Sequence, residues 1–266
     1  MLDVEFSQFS DRGPVRERNE DYVGSVLPTS PEQARSHGWL FAVADGVGGH
    51  RQGDVASRTA VESVLAGFRD APDGEMHTSL LPRLIQQANT GVHDAAIAAG
   101  HDGAGMATTL VLCALRYDRA VVAHVGDSRC YRLRGGSISL LTRDHTVANE
   151  QQLLGLISQQ ERENSRAKHV LSRSLGSGLF VSPDITEIQL LPGDVLVLCT
   201  DGMHNGVSAE DLLRIAGSGS EVLLIANQLA AHAMEHDGSD NVSVLVARIR
   251  GVERIGMYRG RPYTLR

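Results

Sequence analysis

Four acidic clusters recur along the chain, each beside glycine or asparagine: Asn19-Glu20-Asp21, Asp45-Gly46-Val47-Gly48-Gly49-His50, Thr200-Asp201-Gly202 and Asp240-Asn241. Two of these aspartates follow apolar runs that read as buried strands, Trp39-Leu40-Phe41-Ala42-Val43-Ala44 and Val195-Leu196-Val197-Leu198-Cys199, and a third precedes the run Val242-Ser243-Val244-Leu245-Val246. Carboxylates at the ends of core strands are costly to bury unpaired. Hard divalent cations such as Mg²⁺ or Mn²⁺ take oxygen ligands and offset that cost, and a cluster with little His or Cys nearby points to that metal class. The clusters therefore read as parts of one metal site.

Each motif also has a plainer reading. Asp-Gly is the common hairpin dipeptide, and the chain has five, at 45, 73, 102, 201 and 237. Those at 73, 102 and 237 sit among polar residues and read as turns. Asp45 and Asp201 differ, because the preceding hydrophobic run places each carboxylate at a sheet end where the glycine lets backbone approach a ligand. Asn19-Glu20-Asp21 taken alone is equally a solvated loop or a helix start. Arg16, just upstream, offers a planar fork of donors suited to a pair of phosphate oxygens. Arg18 competes for that role and also reads as a surface ion-pair partner.

The elements that must position these residues are read from periodicity. Strands are expected at 38–44, 107–115, 120–125, 129–134, 137–141, 185–191, 194–199 and 241–249, where β-branched and aliphatic residues run between turn signals. Their close spacing favours antiparallel hairpins, as at Arg134-Gly135-Gly136-Ser137. Apolar residues at helical spacing predict helices over 54–69 and 79–99, and a later one over 221–235. Strands in blocks with helices between the blocks indicate an α+β layering, helices covering antiparallel sheets.

A chain of 266 residues with 42% hydrophobic content can bury a sizeable core. It carries no Gly/Ser linker or internal repeat, so one domain is expected over residues 1–250, with 251–266 as a basic tail holding four Arg against one Glu. The formal charge of −7 disfavours a general nucleic-acid surface, which needs clustered cations to neutralise phosphates. No stretch reaches the roughly 20 apolar residues that span a bilayer, and Met1-Leu2-Asp3-Val4-Glu5 lacks a signal-peptide pattern, so a cytoplasmic, monomeric protein without membrane contact is expected. Cys113, Cys130 and Cys199 show no paired metal spacing and read as reduced core thiols.

Taken in order, Val15-Arg16-Glu17-Arg18-Asn19-Glu20-Asp21, Asp45-Gly46-Val47-Gly48-Gly49-His50, Gly105-Met106-Ala107-Thr108-Thr109, Val125-Gly126-Asp127-Ser128-Arg129, Arg143-Asp144-His145, Thr200-Asp201-Gly202 and Asp240-Asn241 resemble the metal-dependent protein phosphatases of type 2C in their bacterial form. The resemblance spans about residues 5 to 250. It implies two packed antiparallel β-sheets flanked by helices, an α-β-β-α sandwich, with the site in a cleft at one end. It also implies that Asp45 bridges two Mn²⁺ or Mg²⁺ ions, that Asp201 and Asp240 complete the first site, and that Glu20 and the Gly46 carbonyl serve the second. Asp21 would orient water, Asp127 would join Asp201 at a third, weaker ion site, and Arg16 would bind phosphate.

The chain departs from the family pattern in places. Val47 stands where many eukaryotic relatives have a histidine, which leaves His50 as the substitute donor of the leaving-group proton; a loop role for His50, with water supplying the proton, is the alternative. Ala107 replaces a common Gly, and Met203-His204-Asn205 replaces a Leu-containing sequence. Residues 146–170 match the family's flap beside the site, and read equally as a surface helix and loop. The resemblance implies a phosphorylated protein substrate and a cognate Ser/Thr kinase. Other readings are a phosphatase of a partner-switching regulator or of small phosphomonoesters, and a non-catalytic binding module. The absence of a Gly-x-x-x-x-Gly-Lys-Ser/Thr loop disfavours a kinase or NTPase.

Overall fold

The computed structural model describes residues 1–47, 52–100, 105–258 and 261–264. Its strands are β1 (Asp3–Asp11), β2 (Asp21–Val26), β3 (Trp39–Asp45), β4 (Leu110–Arg116), β5 (Arg119–Val125), β6 (Arg129–Arg134), β7 (Ser137–Leu140), β8 (Asp184–Gln189), β9 (Val195–Cys199) and β10 (Val242–Gly251), followed by β11 (Ile255–Tyr258) and β12 (Arg261–Thr264). The helices are α1 (Pro31–Ser36), α2 (Gly53–Arg69), α3 (His77–Ala98), α4 (Val147–Leu153), α5 (Gln159–Glu163), α6 (Asp201–His204), α7 (Ala209–Ala216) and α8 (Val222–His236), with a 3₁₀ turn at Arg166–His169.

Two five-stranded sheets, ordered β1-β10-β9-β6-β7 and β2-β3-β4-β5-β8, are antiparallel at every pairing. The layering follows from side-chain alternation along strands that are apolar on both faces. Phe41, Val43, Val111 and Cys113 point inward and meet Leu196, Leu198, Leu245 and Ala247 of the other sheet. The alternate residues Leu40, Ala42, Leu110 and Leu112 face outward onto α2 and α3. In the same way Val195, Val197, Val244 and Val246 face α7 and α8. This is the expected α-β-β-α sandwich, and the three cysteines are free and buried.

Several elements differ from the periodicity-based reading. β1 and β2 are edge strands that pair on one side only, so their residues are mostly half-buried and carry no solid apolar run. Asn19-Glu20-Asp21 opens neither a helix nor a solvated loop: Asp21 begins β2 and is buried. Residues 146–170 fold into α4, α5 and the 3₁₀ turn, and the end of the chain pairs β11 with β12 outside both sheets. Among the described residues, no helix is long and apolar enough to cross a membrane.

The inter-sheet layer carries the sandwich. Phe41 is fully buried there, its ring centroid 5.2 Å from that of Phe6. Phe41→Ala should lower the unfolding free energy by about 3–5 kcal/mol, read as a shift in the urea midpoint at unchanged slope.

Candidate metal centre

The carboxylates come from strand ends of both sheets. β3 ends on Asp45, and the antiparallel register sets Asp21 of β2 directly opposite it. β9 ends at Cys199, and two residues later Asp201 opens α6. Asp240 stands two residues before β10, and Asp127 lies in the turn between β5 and β6. Arg16, Asp45, Asp127, Asp201 and Asp240 line one cleft of about 610 Å³. Glycine is required where backbones cross beneath it. A Cβ on Gly46 would overlap the Gly53 carbonyl, and one on Gly202 the Asn241 carbonyl. The Gly46 amide instead donates to the Glu20 carbonyl at 3.0 Å, which places the Asn19-Glu20-Asp21 segment beside the Asp-Gly turn.

The electrostatics are those of like charges gathered in one place. Burial pushes the Asp21 carboxyl up to about 7, the charges of Asp201 and Asp240 add to this, and hydrogen bonds from Ser243 and Thr200 oppose it. Burial, reinforced by Asp201, likewise pushes Asp127 up to about 7. Asp45 is raised well above the usual carboxylate range by burial and then by Asp21, Asp201, Asp127 and Asp240. Asp201 is raised by burial and by Asp240, and Glu20 by burial against the opposing charge of Arg16. Like charges gathered in this way are costly unless a proton or a cation lies among them.

Two acceptors in this cluster are stranded. The Thr200 hydroxyl donates to Asp21 Oδ2 at 2.9 Å, but Asp21 Oδ1 and Asp201 Oδ1 are buried with no hydrogen-bond partner among the described residues. An array of carboxylate oxygens with unmet acceptors and surplus negative charge fits a hard divalent cation.

Of the two candidate arginines, Arg16 faces the cleft. Its Nη2 donates to Asp240 Oδ2 at 2.6 Å and its Nε to the Ser239 carbonyl at 3.3 Å. Arg18 does not line the cleft; its carbonyl accepts from Asn241 Nδ2 at 2.8 Å. His50, with Gly48 and Gly49, lies outside the described residues.

Several residues for which no role was expected from the sequence support the cluster. Asn241 pins the segment bearing Arg16 and Glu20: its Nδ2 also donates to the Arg12 carbonyl, and its Oδ1 accepts the Glu20 amide at 2.8 Å. Thr109 holds the end of β3, its amide donating to the Asp45 carbonyl at 2.8 Å and its Oγ1 accepting the Asp45 amide at 3.0 Å. Thr109 Oγ1 also bonds Ser128 Oγ at 2.7 Å, which ties Asp45 to the Asp127 turn. His145 fixes the other side of that turn through the Gly126 amide and carbonyl. Asp237, read from the sequence as a plain turn residue, lines the cleft. Thr109, Ser128, His145 and Asn241 all stand inside the motifs that carry the family resemblance, but nothing local to them shows which distant groups they bond. One group among the described residues, His124, His145 and Asp184, has ligand atoms close enough together to share an ion, but Arg143 and Arg173 occupy both Asp184 oxygens at 2.8 and 3.1 Å. A cation there would abut two guanidinium groups, so this cluster is structural.

The protein phosphatase 2C family model matches residues 17–235. The serine/threonine phosphatase stp of Listeria innocua is 34% identical over 255 residues, covering 95% of this chain and 96% of its own. The structure of the Mycobacterium tuberculosis serine/threonine phosphatase PstP/Ppp superposes with a TM-score of 0.81 at 30% identity, over 94% of this chain and 100% of the other. A structure of the PstP catalytic domain in complex with two manganese ions superposes at 0.78 with 31% identity, over 94% of this chain and 100% of that one. The chain belongs to the protein phosphatase 2C family and is, by that membership, a protein-serine/threonine phosphatase.

The raised carboxyl groups give a pH signature. Asp21 and Asp127 ionise near 3.8 when unfolded and near 7 when folded. Between those values the folded chain binds more protons than the unfolded one, so their contribution to stability falls as pH rises through that window. In chelator, scanning calorimetry should show this fall as a component of the Tm profile. Mn²⁺ should raise Tm more at about pH 7.5 than at about pH 5.5, because at the lower value it must displace protons. Equal Mn²⁺ shifts at both pH values would contradict the assignment.

Proposed function

We propose that this chain hydrolyses phosphoserine and phosphothreonine in proteins marked by a Ser/Thr kinase, in the cytoplasm, by direct attack of water on phosphorus. The observation that carries the mechanism is the convergence of carboxylates from both sheets with the stranded acceptors Asp21 Oδ1 and Asp201 Oδ1. Asp45, Asp201 and Asp240 would hold one Mn²⁺ or Mg²⁺ ion, Asp45, Glu20 and the Gly46 carbonyl a second, and Asp127 with Asp201 a third. Such ions neutralise a phosphomonoester dianion and make water acidic enough to ionise near neutral pH.

The chain's own groups do the rest. Arg16 sits at the mouth with its side chain about 40% exposed, free to turn its fork from Asp240 to two phosphoryl oxygens and stabilise the charge of an in-line transition state. Asp21 is held at Oδ2 by the Thr200 hydroxyl, which leaves Oδ1 to accept a hydrogen bond from the attacking water and orient it. His50 is assigned the proton that the departing Ser or Thr oxygen needs. No cysteine takes part: all three are buried in the sandwich.

Hydrolysis of a phosphothreonine peptide should stop in chelator and return with Mn²⁺, and Asp45→Ala should abolish turnover while circular dichroism stays near wild type. Full activity in chelator would overturn the metal assignment. Arg16→Ala should raise KM roughly 10- to 100-fold, as expected for the loss of a charge-assisted hydrogen bond, and Arg18→Ala less than about threefold. Small and equal effects of the two would make both plain surface charges.

A further inference from the structure

A second cavity, of about 230 Å³, adjoins the catalytic cleft, and Asp127, Lys168, His169 and Asn205 line both. One wall of the second cavity is chemically closed. Arg129 donates to both oxygens of Asp144 at 2.9 and 2.7 Å, and His204 Nε2 lies 3.1 Å from the Asp127 carbonyl. The opposite wall is the segment over 146–170, which contributes Arg162 from α5 and Lys168 and His169 from the 3₁₀ turn.

The cations of that wall are not used up. Arg162 reaches Asn149 Oδ1 only at 3.4 Å and its neighbour Glu163 only at 3.8 Å. Lys168 and His169 are exposed, and neither forms an ion pair among the described residues. The carboxylates on the cavity are committed elsewhere or turned outward: Asp127 belongs to the catalytic cleft, Asp144 is matched by Arg129, and Glu163 has a side chain about 56% exposed. Lys168 is also the only lysine in the chain, every other strong side-chain cation being arginine, in a molecule of net charge −7. Unmatched cations are thus placed over a pocket beside the phosphoryl site of an otherwise acidic protein.

We propose that this cavity is an anion subsite that receives a second acidic group of the substrate polypeptide, a carboxylate or a further phosphate near the residue being dephosphorylated. The inference rests on the reading of the first cleft as a phosphoserine and phosphothreonine site. The volume is several times the ~30 Å³ share of a water molecule, enough for either anion with some of its hydration. Because the two cavities share a wall, an extended segment advancing roughly 3.3 Å per residue crosses from one to the other within a few residues. Lys168 supplies a point charge and Arg162 a planar fork, a pairing that accepts carboxylate and phosphate alike. In this way an acidic protein selects acidic substrates at one place on its surface.

The test uses the full chain loaded with Mn²⁺ and phosphothreonine peptides that differ only in the residues two places to either side, which are Ala, Glu or a non-hydrolysable phosphonate analogue of phosphoserine. Both anionic series should exceed the Ala peptide in kcat/KM by about 5- to 20-fold at low salt, and the preference should shrink as salt screens it. The double variant Arg162→Gln, Lys168→Gln should bring the ratio near one, and Lys168→Arg should keep it. A second readout needs no turnover. Lys168 carries the only side-chain amine, so its acetylation by an amine-selective ester can be followed by mass spectrometry, and the anionic peptides should slow it more than the Ala peptide does. Equal kcat/KM for all peptides, with hydrolysis intact, would overturn the subsite and leave the phosphatase reading standing. Hydrolysis of neither the peptides nor an aryl phosphate would overturn both. Equal protection of Lys168 by inorganic phosphate alone would assign the cavity to free phosphate and overturn the substrate role.

Discussion

The structure depends on holding like charges together at one end of a sandwich. Two unit charges about 4 Å apart repel by about 4 kcal/mol at the effective dielectric of a protein. A few such pairs rival the whole net stability of a domain, about 5–15 kcal/mol. Asp21 and Asp127 are buried, Asp45 and Asp201 half-buried, and all four are raised in pKa, each perturbed by others of the cluster. They remain in place because rigid strand ends carry them and because protons or cations offset their charge. The two sheets, apolar on both faces and packed between helices, supply the rigidity; the residues that bond backbone to backbone beneath the cluster supply the precision.

Those bonding residues explain how separate stretches of chain make one centre. Asn241 grips three backbone groups of the 12–20 segment, so Arg16 and Glu20 are brought to the site by the residue that follows Asp240. Thr109 performs the corresponding task within the second sheet, joining the end of β3 to the Asp127 turn through Ser128. Gly46 and Gly202 permit the close crossings that leave no room for a side chain. The carboxylates and Arg16 carry the charge of the cleft, but their positions are set by these uncharged groups.

Much of this was legible in the sequence. β3 and β9 are buried on both faces and appear as unbroken apolar runs, and β10 is broken near its start only by Ser243, so an aspartate beside such a run stands out from the Asp-Gly turns among polar residues. The helices over 53–69 and 77–98 showed their buried stripes for the same reason. β1 and β2 were hidden because edge strands are half-exposed and mix Ser, Gln and Gly with Phe and Val. α7 is only eight residues long, shorter than the window over which an apolar period is read, although its Leu212, Ile215 and Ala216 do fall on one buried face. Asn241 and Thr109 act through contacts with residues far away in the chain, and no local pattern encodes that. Asp237 sits in a turn, as its composition suggests, and what the sequence leaves out is that the turn faces the cleft. The second cavity depends on how residues 146–170 fold over the site, which composition alone does not determine.

The central claim is that divalent cations replace protons in the carboxylate cluster. Titrating the metal-free protein with Mn²⁺ near pH 7 in a weakly buffered solution, while following free Mn²⁺ by electron paramagnetic resonance and released acid with a pH indicator, tests it most directly. The account predicts at least about two ions bound per chain with accompanying proton release, both reduced in Asp45→Asn and Asp201→Asn. Binding of less than about one ion per folded chain, or binding without proton release, would contradict it.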